Sequence, residues 1–454
     1  MAHPAPTTPI PRSRGLPLVG ALPYLPKDPF GFCLNAALAG GGLVRLDVGP
    51  KKVLLVSHPD YLRHILVTNA ANYNKGSIMD GIRVALGNGL FTSDGDLWKR
   101  QRRLLQPAFH PRRIEGMVAL IGRELLTAMQ RWAPAIEDGA IVDVLAELIQ
   151  LNVRITLQAL FGATIDAAEA DGLLRTTDAV FQGMARRVWT FFVPSWLPTP
   201  GGASYREAIS QLDDRIYKII AARHARPDDC DDLLGILLAT RDEETGEGMS
   251  DHQLRDEIFT FFLAGYESIA TSIAWALLLL GANPDAAAAL RAEVDGVLAG
   301  EIPTVANLAL LTYTRMVVRE TLRLYPSFPM YFRSAIGPDT VGPYSVPGGA
   351  SLVLNPYATH HDPRFWSDPE TFDPERFSAE RFGPDERNAY FPFGKGQRTC
   401  IGESMAMTTA LIVLATLLQR FDMGMPAGSG IPPGRYAMTY TPKGGLPLVL
   451  RPRA

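Results

Sequence analysis

Hydrophobic and polar positions alternate in two short stretches near the start, "GGLVRLDVG" (41–49) and "KKVLLVSHP" (51–59). A period of two predicts strands. From about Pro59 to Arg323 the apolar residues recur at three- and four-residue spacing, which predicts a long helical region. The stretch "PYSVPGGASLVLNPYATH" (343–360) returns to short β-branched runs broken by Pro and Gly, so strands and turns are expected. Residues 362–399 carry many Pro, Phe and Arg and little periodicity. An irregular segment of that length in a compact protein is usually functional. A final helix is predicted from about Ile401 to Arg420, followed by a strand-like tail.

One helix stands out. "SDHQLRDEIFTFFLAGYESIATSIAWALLLLG" opens at Ser250 with Gln253 three residues on, a capping-box pattern, and closes at Gly281 with Pro284 just beyond. As one helix it would run roughly 45 Å. Its second half is apolar nearly all round, which predicts burial. Its middle reads Ala264, Gly265, Tyr266, Glu267, Ser268, and polar groups inside a buried helix need partners or a task.

Composition narrows the class. The chain has 454 residues, 47% hydrophobic and 20% charged, enough for a sizeable core. A formal net charge of -3 gives no global attraction to nucleic acid. The proline-rich start (1–25) has neither a signal-peptide pattern nor a spanning run, and the apolar run at 269–281 is short for a span. No transmembrane anchor is expected, and a cytoplasmic location follows. Three widely spaced cysteines, Cys33, Cys230 and Cys400, make no disulfide framework and no paired zinc site.

Cys400 lies in "FPFGKGQRTCIG", just before an apolar helix and two residues after Arg398. A helix N-terminus and a nearby cation both favour thiolate. Gly394, Gly396 and Gly402 leave the backbone bare, so a large flat object can approach it. A thiolate beside a cation suits a metal centre with acidic substituents, as in heme with an axial Cys.

The pattern F-x-x-G-x-R-x-C-x-G is filled by Phe393, Gly396, Arg398, Cys400 and Gly402. It strongly resembles the heme-binding loop of cytochrome P-450 enzymes, of the soluble bacterial type. Other positions agree in order along the chain. "VVRETLRLYP" supplies Glu320 and Arg323, and "DPERF" supplies Arg376. The resemblance implies that these form a buried salt-bridged triad. "GDLWKRQRRLLQPAFHP" is similar to the family's W-x-x-x-R helix, which implies that Trp98 and Arg102 reach a heme propionate. Arg333 and His360 occupy positions of further propionate partners, and Arg398 is expected to pair with one. The resemblance covers essentially the whole chain. It implies one mainly α domain (1–454) with small β-sheets, holding heme b with Cys400 as the axial iron ligand.

The long central helix then passes over the distal heme face, where the family reads A/G-G-x-D/E-T-T/S. Here the threonine is Ser268 and the next position is Ile269. Glu267 and Ser268 are expected to deliver protons; the bland alternative is that Ser268 only bonds back to a helix carbonyl. The implied reaction is hydroxylation of a lipophilic small molecule (fatty acid, terpenoid or steroid) with dioxygen. No reductase fingerprint is present, so electrons are expected from a separate ferredoxin or flavodoxin with its reductase. The cations Lys99, Arg100, Arg102, Arg103, Arg112 and Arg113 offer a docking face for it, or else a solvated helix face. By position, Ile78, Met79, Phe181, Phe261, Ala264, Phe328, Met330 and Met438 are expected around the substrate, with "RRVWTFFVPSWLP" as a lid or, equally, as a stretch that touches a membrane surface. A monomer is expected. Two rival readings share these residues: a peroxygenase or hydroperoxide isomerase needing no reductase, and a heme-binding protein without turnover.

Overall fold

In the computed structural model the described residues are 8–25, 27–162, 167–191, 193, 201–225, 232–426, 428, 430–436 and 438–453. The fold is mainly α with small sheets. Helices Val144–Phe161, Ser268–Ala282, Thr312–Leu324 and Glu403–Arg420 meet in the largest apolar core, with Pro111–Glu137 packed alongside. A second core lies between Ala167–Trp189, Gly202–His224 and Asp251–Tyr266. Trp275 is fully buried at the centre, stacked on Tyr325 at 3.9 Å between ring centroids. Its Nε1–H donates to the Tyr440 carbonyl at 2.7 Å, so this large side chain leaves no polar atom unpaired.

The predicted strands at the start are Leu43–Val48 and Lys51–Val56, paired antiparallel with Leu43 opposite Val56. Lys51–Val56 pairs in parallel with Ser351–Leu354, which pairs with Tyr331–Ala335, and Tyr73–Asn74 closes that edge. Chain segments far apart in sequence thus share one sheet. The tail strand Pro447–Pro452 lies between Ile141–Asp143 and Phe421–Gly424.

The long central helix departs from the expectation. It is two helices, Asp251–Tyr266 and Ser268–Ala282, with an irregular turn at Glu267. Ser268 Oγ donates to the Ala264 carbonyl at 2.8 Å. Such back-bonding competes with the helix ladder and bends helices, and Gly265 beside it offers little resistance. The capping box is half formed. Gln253 N–H donates to Ser250 Oγ at 3.2 Å, but the Gln253 side chain accepts from Arg100 instead of turning back. Two helical stretches, Val144–Phe161 and Asp251–Ala282, are apolar and long enough to cross a membrane by composition. The short-run expectation is corrected to that extent, yet both stretches are mostly buried inside the fold, as core helices are.

The irregular segment 362–399 is fixed from one point. Glu320 and Arg323, one helical turn apart, are fully buried. Arg323 donates to both Glu320 oxygens at 2.7 and 2.8 Å, and Arg376 Nε donates to Glu320 Oε1 at 3.3 Å. The remaining guanidinium donors reach the carbonyls of His360, Pro369 and Thr371 from Arg323, and of Ser367 and Asp368 from Arg376. Four of these five carbonyls belong to the irregular segment, and the fifth, His360, ends the short helix Pro356–His360. Removing one member of such a buried set leaves an uncompensated charge, at a cost of about 3–5 kcal/mol. Glu320→Ala is therefore expected to lower unfolding free energy by about that amount. Urea denaturation followed by tryptophan fluorescence checks it, and an unchanged midpoint would exclude the triad as the anchor.

Candidate active site

The loop 391–402 is held from three sides. Tyr331 Oη donates to the Pro392 carbonyl at 2.9 Å, Lys395 Nζ donates to the Asn388 carbonyl, and Phe391 N–H donates to His360 Nε2 at 3.2 Å. Gly396 has φ +74°, and a Cβ there would lie 2.2 Å from the Leu66 carbonyl oxygen. Only glycine fits that approach. Cys400 N–H donates to the Phe393 carbonyl at 2.9 Å, closing the loop. The final helix starts at Glu403, with Gly402 as its cap, two residues later than predicted at Ile401.

Cys400 faces a cavity of about 930 Å³. Ala264, Gly265, Ser268 and Ile269 from the broken helix also line it. Ala264 is exposed in the midst of buried neighbours because it fronts this space. Of the residues expected around substrate, Met79, Phe261, Ala264, Phe328, Met330 and Met438 line the cavity. Two do not. Ile78 is buried away from the cavity wall, and Phe181 packs edge-on against Tyr266 at 4.8 Å in the second core. Of the expected lid, Phe192 and residues 194–198 lie outside the described residues.

Trp98, Arg102, Arg333, Phe393, Arg398, Cys400 and Gly402 all line the cavity. His360 and Gly396 do not. His360 is fully buried, with Nδ1 3.1 Å from the Arg323 carbonyl and Nε2 accepting from Phe391 N–H. Burial and the adjacent Arg323 push its pKa well below the usual range, so it stays neutral. Both ring nitrogens are occupied, which corrects its expected propionate role to that of a latch between the triad and the thiol loop.

The cation set is larger than the sequence disclosed. Lys75 joins Arg102, Arg333 and Arg398 at the wall. The carboxylate among them is Asp94, 2.9 Å from Arg398 and 3.2 Å from Arg83. Arg398 also lies 4.2 Å over the Trp98 ring. Arg333 donates to the Phe332 carbonyl at 2.7 Å, and burial with the neighbouring Arg398 lowers its pKa to about 10. Burial drives Lys75 well below its usual value. Several cations, Arg333 buried and the others half-buried, sharing one carboxylate call for a further anion in the cavity. Nothing in the motifs marked Lys75, a lone lysine in "NYNKGS".

The thiol expectation is reversed for the protein alone. Burial raises the Cys400 pKa, more than the Gly402 N–H and Arg102 lower it. Arg398 is engaged by Asp94 and by the Ser93 carbonyl. Thiolate at this position therefore depends on a metal, which deprotonates a ligating thiol. The residues present fit heme: one thiol facing a cavity, unmatched cations for two carboxylates, and open space beside Gly402, where a Cβ would meet nothing nearer than Cys400 Sγ at 3.9 Å.

Glu267 points elsewhere. Its carboxyl is buried, accepts from Thr439 Oγ1 at 2.5 Å and does not line the cavity. Burial raises its pKa. The Glu267–Ser268 relay is thus not assembled, since Ser268 is bonded back to Ala264. The cavity instead carries a hydroxyl pair the sequence reading missed. Ser272 Oγ and Ser327 Oγ lie 2.8 Å apart, and both approach the Ser268 carbonyl, at 3.0 and 2.9 Å. The basic docking face is also largely neutralised. Lys99 pairs with Asp96, Arg100 and Arg103 with Asp242, and Arg102 turns inward to the Thr399 carbonyl. Arg112 and Arg113 carry no ion pair among the described residues.

A fold of these helices and sheets, with a loop-held cysteine facing a large cavity, fits a heme-binding protein. The cytochrome P450 family model matches residues 10–446, and the chain belongs to that family of monooxygenases. It is 35% identical over 439 residues (96% of this chain, 94% of the relative) to cyclooctat-9-en-7-ol 5-monooxygenase from Streptomyces melanosporofaciens. It is 36% identical over 442 residues (97% and 95%) to cyclooctatin synthase of the same organism. Pentalenene oxygenase from Streptomyces avermitilis matches at 30% over 94% of each chain. The cytochrome P450DA heme domain superposes with TM-score 0.88 at 27% identity, covering 98% of both chains.

The cavity wall contains a titrating support. Leu90 and Phe91 line the cavity, and Leu90 N–H donates to Glu257 Oε2 at 2.9 Å. Glu257 is fully buried, its other oxygen has no hydrogen-bond partner among the described residues, and burial raises its pKa to about 8. The folded state therefore holds this proton where the unfolded chain has lost it. Stability from this group falls as pH rises from the ordinary carboxyl range to about 8. Glu257→Gln keeps the acceptor for Leu90 and removes the titration. Its melting temperature is expected to exceed wild type at pH 8 and to match it more closely at pH 5, as thermal scans at both pH values would show.

Proposed function

We propose that the chain is a terpenoid hydroxylase: a single heme b domain, monomeric and cytoplasmic, that takes electrons from a separate ferredoxin or flavodoxin with its reductase. The observation carrying this reading is the large apolar cavity above Cys400, walled by Phe261, Ala264, Phe328, Met330 and Met438. Such a wall favours a bulky hydrocarbon skeleton. Relatives named for cyclooctat-9-en-7-ol and pentalenene act on terpenoids, which favours that class over fatty acids and steroids.

Cys400 would ligate the iron, with Lys75, Arg102, Arg333 and Arg398 holding the propionates. When bound, heme supplies the electron and oxygen chemistry. The chain's part is to orient and to move protons. Ala264 and Phe328 set where a C–H bond rests over the thiol. Ser272 and Ser327 form a hydroxyl pair on the wall that can pass a proton through their 2.8 Å contact. The family's acid at Glu267 joins only if it leaves Thr439.

A second reading, a peroxide-driven oxygenase, gains from that same displacement of Glu267. The two are separated by product analysis on a panel of polycyclic terpenes. Turnover with NADPH, a surrogate ferredoxin and its reductase is expected. Product formed with hydrogen peroxide alone would move the assignment to the second reading. The reduced protein with carbon monoxide is expected to show the red-shifted Soret band of a heme-thiolate, and Cys400→Ala to lose it. A mutant retaining the band would remove Cys400 from the metal.

A further inference from the structure

Leu18 is 96% exposed and has φ +65°. A leucine pays a steric penalty in that region, and glycine would sit there freely. It packs against nothing, so the fold does not explain it. Leu16 (47% exposed) and Val19 (40%) flank it. The backbone around it is defined: Leu16 and Gly20 exchange hydrogen bonds at 3.0 and 2.9 Å, making a tight turn with Leu18 at its tip.

The turn is fixed to the sheet edge. Gly20 bridges to Val48, and Ala21 N–H donates to the Asp47 carbonyl at 2.7 Å. Val48 stands opposite Lys51 across the first hairpin. Adjacent chains in a sheet lie about 4.8 Å apart, which places Lys51 roughly 10 Å from the turn. Lys51 and Lys52 are exposed and have no ion pair among the described residues. The carboxylate opposite Lys52, Asp47, is taken by Arg12 and Arg45. Residues 11–56 hold six Lys and Arg (12, 14, 27, 45, 51, 52) against two Asp (28, 47). This corner is strongly basic in a chain whose formal net charge is -3.

We propose that this apolar tip with its basic flank docks on an anionic lipid bilayer, Leu16, Leu18 and Val19 entering the interface and Lys51 and Lys52 meeting the headgroups. An apolar insertion beside unpaired lysines fits such a surface, each part adding to the other. An acidic protein would satisfy the lysines but leaves a protruding leucine without a pocket. The corner also leads inward to the cavity. Helix Pro29–Ala39 follows the turn, and Phe30 packs on Tyr436 and Tyr440 in a cluster that includes Met330; Tyr436 and Met330 line the cavity. Docking here would bring a lipophilic substrate held in lipid close to that wall. The lipid contact does not depend on which substrate is oxidised.

The test uses the full heme-loaded chain and sedimentation with vesicles of phosphatidylcholine alone or mixed with phosphatidylglycerol. Binding to the mixed vesicles and not to the neutral ones is expected. Lys51→Glu with Lys52→Glu should weaken it by about fivefold or more per lysine. Leu18→Asp should weaken it on the order of tenfold or more. Leu18→Gly removes the side chain while relieving the backbone, so its loss of binding cannot be laid to misfolding. An unchanged carbon monoxide spectrum certifies each variant. No sedimentation by wild type, or sedimentation that the variants leave unchanged, overturns the proposal. So does a Leu18-dependent dimer on gel filtration without vesicle binding, which would assign the tip to a second copy. Binding of an acidic ferredoxin that Lys51→Glu with Lys52→Glu abolishes, again without vesicle binding, would assign it to that partner and equally overturn the proposal.

Discussion

The position of the thiol rests on one buried carboxylate. Glu320 is held by two guanidinium groups, and through them it fixes five carbonyls, four of them in a segment that has almost no regular structure. A buried ion pair gives little net stability when compared with a packed apolar alternative. Its value here is geometric. Irregular backbone has many unpaired carbonyls and no ladder to order them, and a planar five-donor group can order several at once. His360 then relays that order. Its ring bridges the Arg323 carbonyl and the Phe391 N–H, so the triad and the first residue of the thiol loop share one rigid contact. The latch works because the imidazole is neutral: a second ring proton would face the Phe391 N–H.

The cavity's electrostatics are unbalanced in a way that points to its guest. Lys75, Arg333 and Arg398 are pulled toward neutrality by burial, with Asp94 as their shared counter-charge. An ionised group kept in such a place is costly unless an anion arrives. The thiol shows the complementary problem. Burial disfavours its anion, and the helix end and Arg102 do not reverse that. A dianionic prosthetic group with a cationic metal answers both at once. The polypeptide prepares the site and leaves completion to the group it binds.

What the sequence disclosed was whatever depends on short, fixed spacing. The thiol loop, the Glu320–Arg323 turn and the paired strands at 43–56 were legible for that reason. What it hid depends on rotation or on distant partners. Glu267 and Ser268 are neighbours, yet successive helical positions point about 100° apart, and the irregular turn between the two helices lets Glu267 face Thr439. Arg100 and Arg103 read as a free basic face because their partner, Asp242, lies far along the chain. Lys75 carries no motif at all. Ile78 and Met79 are adjacent, and which one meets the cavity is set by a single turn of chain.

The break at Glu267 also bears on how the site treats protons. A continuous helix would place the acid and the hydroxyl by sequence alone. Here the Ser268 hydroxyl donates to the Ala264 carbonyl, and the Ser268 carbonyl accepts from Ser272 and Ser327. Two hydroxyl protons cannot both serve that carbonyl and also bridge the 2.8 Å gap between the two serines. One serine must donate to the carbonyl and the other to its neighbour, and the roles can exchange by rotation about the Cβ–Oγ bonds. That degeneracy is what a proton path needs: two arrangements of similar energy on a wall facing the reaction space. Glu267, raised in pKa by burial and accepting from Thr439, takes no part in this pair. The serine substitution in the helix therefore changes more than a methyl group. It leaves the hydroxyls on the cavity wall to two separate segments, Ser272 on helix Ser268–Ala282 and Ser327 just beyond helix Thr312–Leu324.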